Sequence, residues 1–111
     1  MASETFGQRI RTLRKELGLS QRELAQQVGI DFTYLSKIEN DRGEPPSEAV
    51  IKRLAAHLLV DEPDELIVLA GKIPSDIARV LADNPDQLTH LRKLVPKTPG
   101  GKRKRGKADA G

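Results

Sequence analysis

The chain has no cysteine and few aromatic residues. Its aromatic side chains are Phe6, Phe32 and Tyr34, 3% of the 111 residues, whereas hydrophobic residues make up 37%. The lack of cysteine excludes disulfides and thiolate chemistry and fits a reducing compartment. A core with so few aromatics must be built from Leu, Ile, Val and Ala, as in small helical bundles. The composition therefore favours an all-α fold.

Long hydrophobic runs are also missing. Residues 1–20 contain several charged side chains and no extended apolar stretch, so the sequence predicts neither a signal peptide nor a membrane span. A chain of 111 residues is long enough for one small domain with an appendage, and not for a large enzyme cleft. We therefore expect a cytoplasmic protein that does not contact membranes.

Residue patterns for catalysis or metal binding are absent from the sequence. His57 and His90 have no serine, cysteine or second histidine nearby at a catalytic or metal-ligand spacing. The acidic run at residues 61–65 lacks the spacing and the glycine of a calcium loop, and is better interpreted as the start of a helix. We therefore expect no enzymatic activity, no metal and no cofactor.

The basic charge is concentrated at the end of the chain. Residues 96–111 hold six Lys/Arg and one Asp, and apart from alanines they contain no apolar side chain. Such a segment cannot bury enough surface to fold, which predicts a disordered tail. Two roles remain open for this tail: a solvated solubility element, or an arm that binds phosphates without sequence preference.

Local signals predict helices along residues 5–58. Apolar residues in "TFGQRIRTLRKELGL" recur at the helical period and predict a first buried face that includes Leu17, with Gly18 ending the helix. Ser20 and Glu23 form a capping-box pattern that starts a second helix at Gln21, which Gly29 ends. Asp31 is the predicted N-cap of a third helix, and Ser47 that of a fourth.

Three more helices are predicted after residue 60. Pro63 and the acidic residues around it predict the start of a fifth helix, whose apolar residues include Leu69. Two short amphipathic helices follow and are separated at Asn84 and Pro85. Short helices are marginal alone, so we expect these to pack on the first and fifth helices or on a second subunit.

The second and third helices are joined by a short turn containing Gly29, which is the signature of a helix-turn-helix. The stretch "LRKELGLSQRELAQQVGIDFTYLSKIENDR" resembles the lambda-repressor-like, or XRE, family of bacterial and phage transcriptional regulators, and the match extends over residues 8–70. This resemblance implies a five-helix DNA-binding domain at residues 1–70. Residues 71–95 then form a helical extension for dimerisation or packing, before the tail at 96–111.

The resemblance also implies roles for individual residues. The positions that face bases in the family are Phe32, Thr33, Ser36 and Lys37. The positions that contact phosphates are Gln21, Tyr34, Asn40 and Arg42. Arg14 and Glu39 correspond to a buried ion pair between the first and third helices. Two positions depart from the family pattern: Phe32 stands where a polar residue or proline is frequent, and Asp41 where glycine is frequent.

Two functions are compatible with the sequence. The first is a sequence-specific regulator of double-stranded DNA, associated with the nucleoid, which represses transcription as a homodimer on an inverted repeat through its third helix in the major groove. The alternative is an antitoxin or phage-type adaptor that binds a partner protein through residues 61–95, with DNA binding used for autoregulation.

Overall fold

The computed structural model describes residues 4–96, so the predicted tail, apart from Pro96, lies outside the described residues. The chain divides into two compact units, Met1–Ser75 and Asp76–Gly111. The described residues form seven helices and no strand, which confirms the all-α prediction. Their bounds are α1 Phe6–Glu16, α2 Gln21–Val28, α3 Phe32–Glu39, α4 Glu48–His57, α5 Pro63–Leu69, α6 Ser75–Asp83 and α7 Pro85–Leu94.

Side-chain caps fix the starts of the first four helices. The Ser20 hydroxyl accepts from the Glu23 N–H at 3.0 Å, and the Glu23 carboxylate accepts from the Ser20 N–H at 2.8 Å. This reciprocal pair confirms the capping box predicted for α2. The predicted caps Asp31 and Ser47 also accept from the backbone of α3 and α4. Gly29 ends α2 in the left-handed conformation, at φ 82°.

One hydrophobic core holds α1 to α5 together. Its fully buried members come from all five helices and include Ile10, Leu24, Leu35, Leu54 and Ile67. Most of the core side chains are aliphatic, as the composition predicts, and Phe6 is the one buried aromatic residue in the described part of the chain. The packing fixes α3 against both α1 and α2.

Two leucines at helix ends, Leu17 and Leu69, are exposed. Leu17, predicted to continue the buried face of the first helix, is 40% exposed because α1 ends at Glu16 and Leu17 is its C-cap. Gly18 then follows with φ 72°, as predicted for the residue that ends this helix. Leu69, at the end of α5, is 38% exposed, whereas Leu66 and Ile67 are buried. The burial predicted for Leu17 is therefore wrong, because periodicity no longer decides burial where a helix ends.

The second unit contains most of α6 and all of α7. Asp83 ends α6 and Pro85 begins α7, so the predicted break is confirmed. Neither helix has a buried residue. Their exposed apolar side chains are Ile77, Val80, Leu88, Leu91, Leu94 and Val95. Within residues 4–96 no helix is both long enough and apolar enough to cross a lipid bilayer.

Candidate DNA-binding surface

Helix α3 has one face in the core and one face in solvent. Asp31 Oδ2 accepts from the Thr33 N–H at 2.8 Å and fixes the first turn. Leu35, Ile38 and Glu39 are buried. The residues on the solvent side are the exposed Thr33, Tyr34 and Lys37 and the half-buried Ser36. Thr33 and Lys37 lie one helical turn apart, so the two side chains share a face.

A buried carboxylate fixes the orientation of α3. Glu39 is 1% exposed, and Arg14 binds it through two hydrogen bonds, Nε to Oε2 at 2.7 Å and Nη2 to Oε1 at 3.0 Å. Gln21 Nε2 donates to Glu39 Oε1 at 2.9 Å. A weaker contact comes from Arg11 Nε at 3.5 Å. Donors from α1 and α2 therefore converge on one residue of α3.

The same contacts set the ionisation of Glu39. Burial alone raises the pKa of this carboxyl group, because the charged form loses its hydration. The hydrogen bonds from Arg14 and Gln21, the charge of Arg14 and the contact with Arg11 act in the opposite direction. Together they outweigh burial and hold the pKa of Glu39 below its ordinary value. Glu39 is therefore charged at neutral pH.

The segment after α3 is a tight, hydrogen-bonded turn. Asn40 Nδ2 donates to the Ser36 carbonyl at 2.8 Å, and its Oδ1 accepts from Arg11 Nη2 at 2.9 Å. Asp41 has a φ of 57°, and the Arg42 N–H donates to the Lys37 carbonyl at 2.9 Å. Asp41 therefore adopts the left-handed conformation that usually selects glycine at a helix end. The side chain of Arg42 is exposed beside this turn.

Asp41 has a second role that the sequence did not indicate. Its carboxylate accepts from the Thr5 hydroxyl and, at 2.9 Å, from the Gly7 N–H, so it closes the first turn of α1. The approach is close because Gly7 has no side chain. A Cβ at Gly7 would meet the carbonyl oxygens of Ile38 and Glu39 and the carboxylate of Asp41. A glycine inside a strongly helical pattern was the available signal for this contact.

Phe32 is only partly available to a ligand. Its ring is half-buried and packs against the core, and the guanidinium carbon of Arg22 lies 4.4 Å from the ring centroid. This distance is within the range of a cation–π contact. The first residue of α3 therefore supports a cation from α2.

The structure places the predicted site residues along α3, its following turn and the start of α2. Thr33, Ser36 and Lys37 lie together on α3, whereas Gln21 is half-buried against Glu39. Tyr34 is 37% exposed. The described residues contain no group of three or more His, Cys, Asp or Glu side chains that could hold a metal ion.

Residues 5–66 match the family described as "Helix-turn-helix domain". The chain is 35% identical over 84 residues to the HTH-type transcriptional regulator SinR of Bacillus subtilis, covering 70% of this chain and 75% of SinR. It is 46% identical over 105 residues to the immunity repressor protein of Bacillus phage phi105, covering 86% of this chain and 68% of the repressor. A propionyl-CoA carboxylase regulator of Cereibacter sphaeroides is 32% identical over 104 residues, and the matched part is 89% of this chain but 22% of that regulator.

Two solved structures share this fold. The biofilm master regulator SinR in complex with DNA has a TM-score of 0.52 at 39% identity, over 56% of this chain and 97% of the SinR chain in that structure. The restriction-modification controller protein C.AhdI of Aeromonas hydrophila has a TM-score of 0.51 at 43% identity, over 55% of this chain and 89% of C.AhdI. On the match of residues 5–66 and the geometry of α2 and α3, the chain belongs to the lambda-repressor-like, XRE type of helix-turn-helix domain.

Proposed function

We propose that this protein is a sequence-specific regulator of transcription that binds double-stranded DNA through α3 in the major groove. The observation that carries the proposal is the division of α3 into two faces. Leu35, Ile38 and Glu39 hold the helix in the fold, and Thr33 and Lys37 stay exposed. In helix-turn-helix proteins the second helix of the motif reads base edges with such exposed side chains. The likeness to SinR, whose structure contains DNA, supports the same assignment.

The side chains of α3 that can reach bases differ in the contacts that they can make. Lys37 can donate to guanine O6 and N7, and Thr33 can place its hydroxyl on a base edge or its methyl group on thymine. The Ser36 hydroxyl can hydrogen-bond to donors or acceptors on base edges, and the apolar side chain of Phe32, which is half-buried, suits a thymine methyl group. These four residues are the proposed base-reading set.

Phosphate contacts are assigned to the residues that surround α3. Arg42 is exposed in the turn after the helix, where its charge can reach a phosphate without a base contact. Gln21, Tyr34 and Asn40 complete this proposed set. Gln21 and Asn40 also bond within the fold, so each would link a phosphate to the position of α3.

We further propose that the protein represses as a homodimer on an inverted repeat. One helix-turn-helix unit reads few base pairs, and two-fold symmetry places two such units about 34 to 36 Å apart on DNA. Residues 71–95 are the proposed dimer surface because α6 and α7 leave all their large apolar side chains at least partly exposed. The chain covers 68% of the length of the phage immunity repressor, whose name supports a repressing role.

The test separates base reading from backbone contact. We expect Lys37→Ala to broaden the preferred half-site at one position, with a loss of about 1 to 3 kcal/mol on the preferred sequence. Arg42→Ala should weaken binding to all sequences by a similar factor and leave the preference intact. The measurement is a binding selection on randomised half-sites, with Lys15→Ala as a control for the loss of one exposed lysine. An unchanged preference in Lys37→Ala would remove that residue from the reading surface.

A partner-binding role is the second candidate. The exposed apolar side chains of α6 and α7 favour it, because such surfaces on soluble proteins often bind other proteins. In this case the protein would be an antitoxin or phage-type adaptor that binds a partner through residues 61–95. A wild-type protein with no base preference in the half-site selection would support this function over the first.

A further inference from the structure

The contact between Arg22 and Phe32 joins the two helices of the helix-turn-helix motif at their first turns. Arg22 is the second residue of α2 and Phe32 is the first residue of α3. The guanidinium carbon lies 4.4 Å from the ring centroid. A half-buried aromatic ring can hold a guanidinium in place over its face, because both groups are planar and the ring face carries partial negative charge.

The guanidinium of Arg22 keeps its hydrogen-bonding capacity. It makes no hydrogen bond or ion pair with any other residue in the described range 4–96, in contrast to Arg9, Arg11 and Arg14, which all bond to glutamates. A ring can accept a cation but satisfies few of its five N–H donors. Arg22 is exposed, so these donors face solvent. An arginine that stacks on a ring and has no polar partner within residues 4–96 suits an oxyanion, which guanidinium can bind through two parallel hydrogen bonds.

We propose that Arg22 binds a phosphate of the DNA backbone beside the groove that α3 enters, and that Phe32 is the residue that positions it. The proposal rests on the function proposed above. In helix-turn-helix complexes the first helix of the motif crosses the backbone while the second lies in the groove, so a side chain from the first turn of α2 points at the backbone. Arg22 thereby adds a phosphate contact outside the predicted set, and Phe32 acts on affinity as well as on bases.

The variants are chosen to separate charge from stacking. Arg22→Ala removes both the charge and the stacked group, whereas Arg22→Lys keeps the charge but lacks the planar guanidinium. Phe32→Leu keeps an apolar side chain at the core and removes the ring. Arg53→Ala is the matched control, since Arg53 is an exposed arginine on α4. Thermal melting of each variant shows whether it remains folded, and Arg22→Ala should, because its side chain is exposed.

Binding is measured by titration with an operator obtained from the half-site selection and with random-sequence duplex, at several salt concentrations. We expect Arg22→Ala to lower affinity about tenfold at low salt for both duplexes and to reduce the salt slope by about one. Arg22→Lys should recover only part of this affinity. Phe32→Leu should lower affinity for random duplex, and adding Phe32→Leu to Arg22→Ala should cause no further loss there, because the two residues act as a unit.

Three results would overturn the proposal. The first is an Arg22→Ala variant with the affinity and salt slope of Arg53→Ala. The second is a changed preference at one base position with an unchanged salt slope, which would make Arg22 a base-reading residue. The third is a loss for random duplex in the double variant equal to the sum of the single losses, which would separate Phe32 from Arg22. A wild-type protein that bound no DNA would contradict the proposed function as well. A wild-type protein that bound DNA, together with any of the three results above, would contradict only the role proposed for Arg22 and Phe32.

Discussion

Glu39 is the residue on which the position of α3 depends most directly. It is buried and accepts hydrogen bonds from both α1 and α2. Replacing it with glutamine leaves Arg14 buried without its countercharge, and removing one partner of a buried pair costs about 3 to 5 kcal/mol. We expect Glu39→Gln to lower the free energy of unfolding at pH 7 by about 3 kcal/mol, measured by urea denaturation. Glu44→Gln, which removes an exposed carboxylate, should have little effect.

The same residue should make stability depend on pH. Because the pKa of Glu39 is lower in the folded state than in the unfolded chain, the folded state favours the charged form. The resulting stabilisation is present above the ordinary glutamate pKa of about 4.3 and is lost as the pH falls through the folded-state pKa. The wild-type melting temperature should therefore fall more steeply than that of Glu39→Gln below about pH 4.3. Parallel melting curves for the two proteins would contradict this assignment.

At the scale of elements, the contact between α1 and α3 depends on the missing side chain of Gly7. Within an ordinary helix, Gly→Ala stabilises by about 0.5 to 1 kcal/mol. Here the added Cβ would lie 2.7 Å from the Glu39 carbonyl oxygen, so α1 and α3 must move apart. We expect Gly7→Ala to destabilise by about 1 to 3 kcal/mol and to weaken DNA binding, because α3 is displaced. Urea denaturation tests the first effect, with Lys15→Ala as the control within α1.

The elements could be predicted where their signals are local. Ser20 and Asp31 mark helix starts through bonds to residues two or three positions ahead, so a short stretch of sequence contains the whole interaction. Gly7 could not be understood in this way, because Ile38 and Asp41 lie more than thirty residues further along the chain. Leu17 was assigned wrongly because periodicity does not show where a helix ends.

The candidate site, too, could be predicted only where its signals are local in the sequence. The exposed positions Thr33 and Lys37 follow from the helical period and the N-cap at Asp31. The stacking of Arg22 on Phe32 was not predicted, because a pattern of residues does not specify the angle between two helices. Asp41 shows the same limit: its left-handed conformation and its bonds to α1 both depend on how α3 meets α1.

At the scale of the whole molecule, α6 and α7 should determine the oligomeric state. Sedimentation at micromolar concentration should show a dimer of the wild-type chain, since burying the apolar side chains of two copies is favourable. Adding two charges through Leu88→Lys and Leu91→Lys should give a monomer, because both side chains are now about half exposed and would be buried in the dimer. Gln87→Lys is the control, because it adds a charge at a neighbouring polar position, and it should remain a dimer. A wild-type monomer, with and without DNA, would contradict this prediction.

The basic end of the chain should affect affinity without affecting sequence choice. Residues 97–111 carry six Lys/Arg and one Asp, and cations near DNA release counterions whatever the bases are. Truncation after Val95 should weaken binding to operator and random DNA alike and flatten the salt dependence. A full-length variant with serine at Lys102, Arg103, Lys104 and Arg105 separates charge from length and should behave similarly. Unchanged affinity and salt slope in both would leave the tail as a solubility element.

The convergence of donors on Glu39 also bears on how the molecule opens. Arg14 comes from α1 and Gln21 from α2, so detaching either helix from α3 breaks a hydrogen bond to a buried charge. Partial opening of the motif is therefore costly, and α1, α2 and α3 should unfold as one cooperative unit. Helices α6 and α7, which bury no residue, lack such a constraint and can fray alone at little cost. Backbone amides of α3 should consequently exchange with solvent only as often as the whole three-helix unit opens.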